Sequence, residues 1–282
     1  MPDFEPILRT AAFFLGSLAL VVLAKLLRDF IALRRGYRLS HLVGQQDNVA
    51  VAVEMAGFVL AMVIGLLGSI VVQGELWWQQ GLDLVHVGLL VLSALFLNNW
   101  VMSKIVLRGI DCDAEVCERG NLAVALARAS GNIASALVIR AALGHDSGLL
   151  ARLTWLLIGQ FVLVAMTWLY QRMTPYDDAS EVQKGNVAAA LPMAGILIAV
   201  GLVVEAAVRG ESAGWTADLQ QLGIDIGLSA ALLAGLRWAG DLFLLPGTTY
   251  SEEIARDRNA GAGMIEAASY VAGGFAVAYF LH

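Results

Sequence analysis

Residues 121–142 read NLAVALARASGNIASALVIRAA and residues 259–280 read NAGAGMIEAASYVAGGFAVAYF. Each run is as long as a membrane-crossing helix, opens on an asparagine and carries one charge, Arg128 or Glu266, seven residues in. A bilayer core about 30 Å thick takes about 20 mostly apolar residues in helical form, so both are read as membrane spans. Working outward, the stretches 6–33, 48–72, 81–106, 120–142, 149–171, 186–208, 219–245 and 259–281 all qualify, which predicts eight spans. None alternates with period two, as the strands of a transmembrane barrel would.

The composition agrees. Apolar residues make up 59% of the 282 and charged ones 15%, against about 45–50% and about 25% in soluble domains. A disordered chain, a secreted disulfide scaffold and an ordinary cytosolic enzyme are excluded. The net charge of −6 argues against nucleic acid, which calls for a basic face. The first span is a retained helix, since its basic residues follow the apolar run and no small-residue cleavage site is evident. Twelve basic residues follow the odd-numbered spans: Lys25, Arg28, Arg34, Arg35, Arg38, Lys104, Arg108, Arg119, Arg172, Lys184, Arg256 and Arg258. Only Arg9, Arg140, Arg152 and Arg209 fall on the other side. Positive charge stays cytoplasmic, so both termini are expected to be periplasmic.

The asparagine start recurs four times: Asn48-Val-Ala-Val-Ala, Asn121-Leu-Ala-Val-Ala, Asn186-Val-Ala-Ala-Ala and Asn259-Ala-Gly-Ala-Gly. The spacing is 73 residues within each half and 138 between halves, and the eighth residue after each asparagine is alanine: Ala56, Ala129, Ala194 and Ala267. Small residues four apart let helices approach closely in lipid. The expected fold is therefore an all-α membrane protein of two parallel-oriented tandem four-helix halves, 1–143 and 144–282, each built from two related hairpins. These hairpins with their Asn-Leu-Ala-x-Ala start resemble the YjfL-type domain-of-unknown-function family of bacterial inner-membrane proteins, over 47–142 and 185–282, with the first and fifth spans matching by position. The resemblance implies an inner-membrane location and an association with envelope-stress systems, including phage-shock-like peripheral proteins. It implies no established activity.

Three sets of polar residues are candidates for function. The asparagines Asn48, Asn121, Asn186 and Asn259 suit helix capping, where the carboxamide accepts from an unpaired N–H, or an anion-favouring vestibule formed by four helix N-termini. A layer about 10 Å in from the cytoplasmic edge, seven residues at about 1.5 Å each, holds Glu54, Asn98, Asn99, Arg128, Arg237 and Glu266, with Asp241 a turn nearer the edge. It reads either as interhelical ion pairs or as a polar constriction on a permeation path. Because Arg128 and Glu266 are repeat-equivalent and opposite in sign, they are expected to pair across the axis relating the halves. Near the outer face, Asp83, His86, Glu205 and Asp225 suit a proton relay or cation entrance, or an interfacial rim beside Trp77, Trp78 and Trp215. The loop from Asp111 to Glu118 holds Cys112 and Cys117, whose spacing matches no common zinc pattern; it is expected to be a solvated acidic loop.

No nucleophile elbow, phosphate loop or zinc-hydrolase motif is present, and His41, His86, His145 and His282 are scattered. The chain is expected to be no enzyme and to need no cofactor or metal. The leading expectation is a channel-like or transporter-like conduit for ions or small solutes, in which a homo-oligomer is compatible with the repeat. The alternative is a membrane scaffold or sensor that recruits peripheral stress proteins through its cytoplasmic loops.

Overall fold

The computed structural model describes residues 5–69, 77–144, 148–209, 212–244 and 247–280, and every regular element among them is helical. Eight long helices carry the architecture: α1 (Glu5–Arg34), α2 (Val49–Leu66), α3 (Trp77–Val101), α4 (Leu122–Gly144), α5 (Leu149–Met173), α6 (Val187–Val208), α7 (Trp215–Ala239) and α8 (Ala260–Phe280). Helices α3 and α7 run on into π turns, Met102–Val106 and Gly240–Leu244, which start one 138-residue repeat apart. Seven of the long helices are long and apolar enough to cross a membrane. The exception to the expected eight is α8, whose four glycines, two tyrosines and Glu266 dilute its hydropathy, although it is a complete 21-residue helix.

A short element precedes each even helix: the helices Leu39–Gly44, Cys112–Cys117 and Asp178–Gln183, and the π turn Glu252–Arg256. The residue before each asparagine is left-handed, with φ of 50° at Asp47, 61° at Gly120, 76° at Gly185 and 52° at Arg258. That turn ends the short element and swings the next peptide back, so the asparagine N–H donates to Leu42, Glu115, Glu181 or Glu253 O. Glycine meets this demand without a Cβ penalty. The long helix then starts, and the Oδ1 of Asn48, Asn121 and Asn259 accepts from N–H groups of its first turn. Asn186 makes no such bond.

The amide NH2 groups have a different use from the expected vestibule. Asn48 Nδ2 donates to Val116 O at 3.0 Å, Asn121 Nδ2 to Val182 O at 3.1 Å and Asn186 Nδ2 to Ile254 O at 2.8 Å. Each asparagine thus ties its own helix to the short element of the next hairpin. The four starts form a series along one end of the molecule, where most basic residues lie, and do not converge on a common opening.

The even helices pack in a row, α2 on α4, α4 on α6 and α6 on α8, and the odd helices flank it. Burial follows this order: 83% of the apolar window of α4 and 72% of that of α6 is buried, against 11% for α1. Glycine permits the close crossings. A Cβ on Gly57 would overlap the Ala129 Cβ, and one on Gly195 would lie 2.7 Å from the Ala267 Cα. Ala129 and Ala267 therefore sit in the seam as the repeat predicts. Their partners are one residue past Ala56 and Ala194, because a 3.6-residue period turns Gly57 and Gly195 toward the neighbour; Ala56 is exposed.

Candidate functional site

A cavity of about 770 Å³ opens at the basic end of the first repeat, between α1, α2, α3, α4 and the Cys112–Cys117 helix. Its lining includes the cations Arg28, Arg35, Lys104 and Arg128 and the acids Glu54, Asp111 and Asp113. Arg128 is the hub: its Nη1 lies 2.8 Å from Asp113 Oδ1 and 3.2 Å from Glu54 Oε1. Arg28 Nη2 approaches the same Glu54 oxygen at 3.0 Å, and its guanidinium lies over the Phe58 ring. Arg35 closes the chain through Asp113. Burial acts to raise the Asp113 carboxyl, but Arg128 and Arg35 outweigh it and hold the group below the usual carboxylate range. Arg28 Nη1, Arg128 Nε and Asn99 Oδ1 are buried with no hydrogen-bond partner. The same holds in the second repeat for Tyr170 Oη, Tyr250 Oη and Glu266 Oε2, so unpartnered atoms do not by themselves mark the cavity.

The equivalent place in the second repeat is filled. A shift of 138 residues turns Arg28 into Met166, Ala32 into Tyr170, Cys112 into Tyr250, Asn132 into Tyr270 and Glu54 into Pro192. What remains is a space of about 20 Å³. Tyr170 and Tyr270 meet edge to face with ring centroids 6.1 Å apart, and Gly240 leaves room for the Tyr250 ring. Arg237 pairs with Glu266 and reaches Ser251 Oγ at 3.1 Å; the Tyr270 hydroxyl donates to Glu266 Oε1 at 2.6 Å. Asp241 Oδ1 accepts from Tyr250 N at 2.7 Å. Arg128 and Glu266 do not pair across the halves; each finds its partner within its own repeat, through Glu54 and Arg237 respectively. A side chain seven residues into α4 or α8 meets its own flanking hairpin before it meets the other half of the row.

The same family model matches this chain twice, over residues 3–143 and 145–281: the Domain of Unknown Function DUF350. The chain belongs to the DUF350 family. A UPF0719 transmembrane protein of Aquifex aeolicus (strain VF5) is 24% identical to it over 267 residues, 93% of this chain and 96% of that protein. No solved structure matches significantly. This DUF350 protein is thus a transmembrane protein with several apolar helices, in a family whose name states no activity.

Within the DUF350 chain, the remaining expected residues fall apart from the cavity or at its edge. Asn99 lines it, whereas Asn98 donates to Asn132 Oδ1 at 2.9 Å in the packed region deeper along α3 and α4. The outer set does not gather. Asp83 and His86 are exposed, Glu205 pairs with Arg140, and buried Asp225 accepts from Gln221 Nε2 at 2.9 Å. The side chain of Trp77, and both His145 and His282, lie outside the described residues. The acidic loop is a helix rather than a solvated segment: Asp111 caps it, Asp113 turns to Arg128, and both cysteines are buried. Burial raises both thiols, that of Cys117 to about 12, so they stay protonated. Among the described residues, no three His, Cys, Asp or Glu side chains gather as metal ligands.

Arg28 and Asp113 are the site residues that sequence reasoning missed. Arg28 reads as one of the loop cations because the first helix ends in a run of them. Asp113 has no spacing that points to Arg128; only the fold of the short helix brings it there.

Proposed function

We propose that this chain is a channel-like or transporter-like conduit of the bacterial inner membrane, with the first-repeat cavity as its cytoplasmic vestibule. The observation that carries this reading is a large cavity at the basic end whose wall carries Arg28, Arg35, Lys104 and Arg128 beside Glu54, Asp111 and Asp113. The guanidinium groups of Arg28, Arg35 and Arg128 favour a small solute bearing acceptor oxygens. Beyond them Phe58, Met62 and Leu95 are all at most 1% exposed, so in this reading the vestibule is shut toward the outer face. In this reading α8 is the eighth span, its 21 residues rising about 30 Å, and both termini are periplasmic. No catalytic step is assigned.

The test is reconstitution in proteoliposomes with a panel of inorganic ions and small organic anions. Flux of at least one species that falls in Arg28→Gln supports the conduit; no flux from any member of the panel in correctly inserted protein overturns it. A second reading rests on the short elements, which the asparagine tethers hold rigidly at the basic end. Exposed Glu118, Asp177 and Glu252 there offer an acidic platform. The YjfL-type resemblance favours such a scaffold for peripheral envelope-stress proteins. Silent flux assays, together with binding of a phage-shock-like protein lost on neutralising those three acids, would favour it.

A further inference from the structure

The internal junctions between hairpins repeat one geometry. Counted from its asparagine, residue 9 of one unit meets residue 8 of the next (Gly57 with Ala129, Gly195 with Ala267), and residue 13 meets residue 15 (Ala134 with Gly201, Ala199 with Gly274). The asparagine tether runs in the same direction at all three junctions, from Asn48, Asn121 and Asn186 onto the following short element. A series with a direction has two unlike ends, and each end carries half of the junction.

The part of the junction nearest the asparagines is present and unused at both ends. At the α8 end, Ala268 and Ala272 stand at the ninth and thirteenth positions and are exposed. Asn259 is exposed too, and among the described residues its Nδ2 donates to Glu253 of its own unit and not to another unit. At the α2 end, Ala56 stands at the eighth position and is exposed. Val63 at the fifteenth is larger than Ala136, Gly201 and Gly274 of the other units, so the close approach is confined to the end near the asparagines. Val43 and Gly44 there occupy the place of the carbonyls that receive a tether in the other three units, and no asparagine amide reaches them among the described residues. Lipid contact makes no demand for small side chains, whereas a helix at backbone distance does.

We infer that a second copy of this chain docks its α2 face on the α8 face of the first, continuing the row head to tail. Asn259 Nδ2 then takes the Val43 or Gly44 carbonyl of the next copy, and Ala268 faces Ala56 with a Cβ at the ninth position, as Ser130 has at the middle junction. The contact is heterologous, so it closes into a ring or grows as a row in the membrane plane. This inference is independent of the conduit and stands with either function.

Oxidative cross-linking in membranes reads the contact directly. The double variant Ala56→Cys/Ala268→Cys is expected to give covalent dimers and higher multiples. Each single variant alone is expected to stay monomeric on a denaturing gel, as is the wild type with its buried cysteines, and the two single variants coexpressed should stop at dimers. Native mass spectrometry of the wild type in nanodiscs should show multiples that Ala56→Trp reduces to monomer without lowering the melting temperature of the monomer. A wild type that is monomeric in nanodiscs and a double variant that does not cross-link would overturn the inference. So would a single variant that cross-links to itself, because that requires two like faces, or assembly unchanged in Ala56→Trp.

Discussion

The two repeats share helix starts, π turns and a charged pair at the same depth, yet one encloses about 770 Å³ and the other about 20 Å³. The difference comes from side-chain volume at equivalent positions. Ala32 and Cys112 leave space where Tyr170 and Tyr250 stand in the second repeat, and Tyr270 adds a third ring there. The charges follow. Arg128 sits in a chain of partners beside the cavity, whereas Glu266 is enclosed by Arg237 and a tyrosine hydroxyl. The duplication thus supplies an internal control: one repeat keeps the polar site and the other shows the same frame closed.

The largest effects should come from the enclosed pair. Arg237→Leu or Glu266→Leu strands one buried charge, at a cost of about 3–5 kcal/mol, while the double variant should be near neutral. Additive losses in chemical denaturation of the three variants would show that the pair is not coupled. A comparable effect depends on pH. Asp178 is 1% exposed, and burial, opposed by a bond from Thr174 and by the charge of Arg237, pushes its carboxyl up to about 7. Its counterpart, Ser40, is exposed and neutral. A carboxyl raised in the folded state favours folding below its unfolded pKa of about 3.9 and loses that contribution as pH rises through about 7. Stability should therefore fall from pH 4 to pH 8 by up to about 4 kcal/mol, at roughly 1.4 kcal/mol per pKa unit, and the melting temperature with it. Asp178→Asn should flatten the profile by gaining stability at pH 8.

Next comes conversion of the closed repeat toward the open one. Tyr270→Asn places the first repeat's residue in the second and should cost about 3 kcal/mol through the void it leaves. A loss under about 1 kcal/mol would mean that the tyrosines do not fill the space. The smallest contrast lies in the seam that both repeats share. Gly57→Leu and Gly195→Leu should each lower stability by about 1–3 kcal/mol through overpacking, whereas Ala56→Leu should leave the thermal stability of the detergent-solubilised monomer unchanged.

Much of the frame was legible in the sequence because lipid imposes a simple rule: spans are apolar, and their backbones must pair internally. The helix starts were legible because asparagine is a strong cap and occurs four times in register. What escaped was a matter of direction. The repeat marks Ala56 as a seam position, but the seam there runs through Gly57; the repeat likewise marks Arg128 and Glu266 as equivalents, but equivalence is not contact. The tyrosine filling of the second repeat was invisible because Tyr170 and Tyr270 read as ordinary aromatic residues within apolar spans. Asp113 joined the site through a short helix inside a loop, where no hydrophobic period marks structure.

The asymmetry between the repeats can be measured at one matched pair of positions. Phe96 lines the cavity of the first repeat and Ala234, its equivalent, lines the small space of the second. Phe96→Cys and Ala234→Cys, made separately in a background where Cys112 and Cys117 are serine, can be titrated with a charged, water-soluble thiol reagent from the side of the basic loops. A cysteine at 96 that reacts at least tenfold faster than one at 234 is the result expected of a water-filled vestibule in the first repeat alone. Equal rates at the two positions would contradict it.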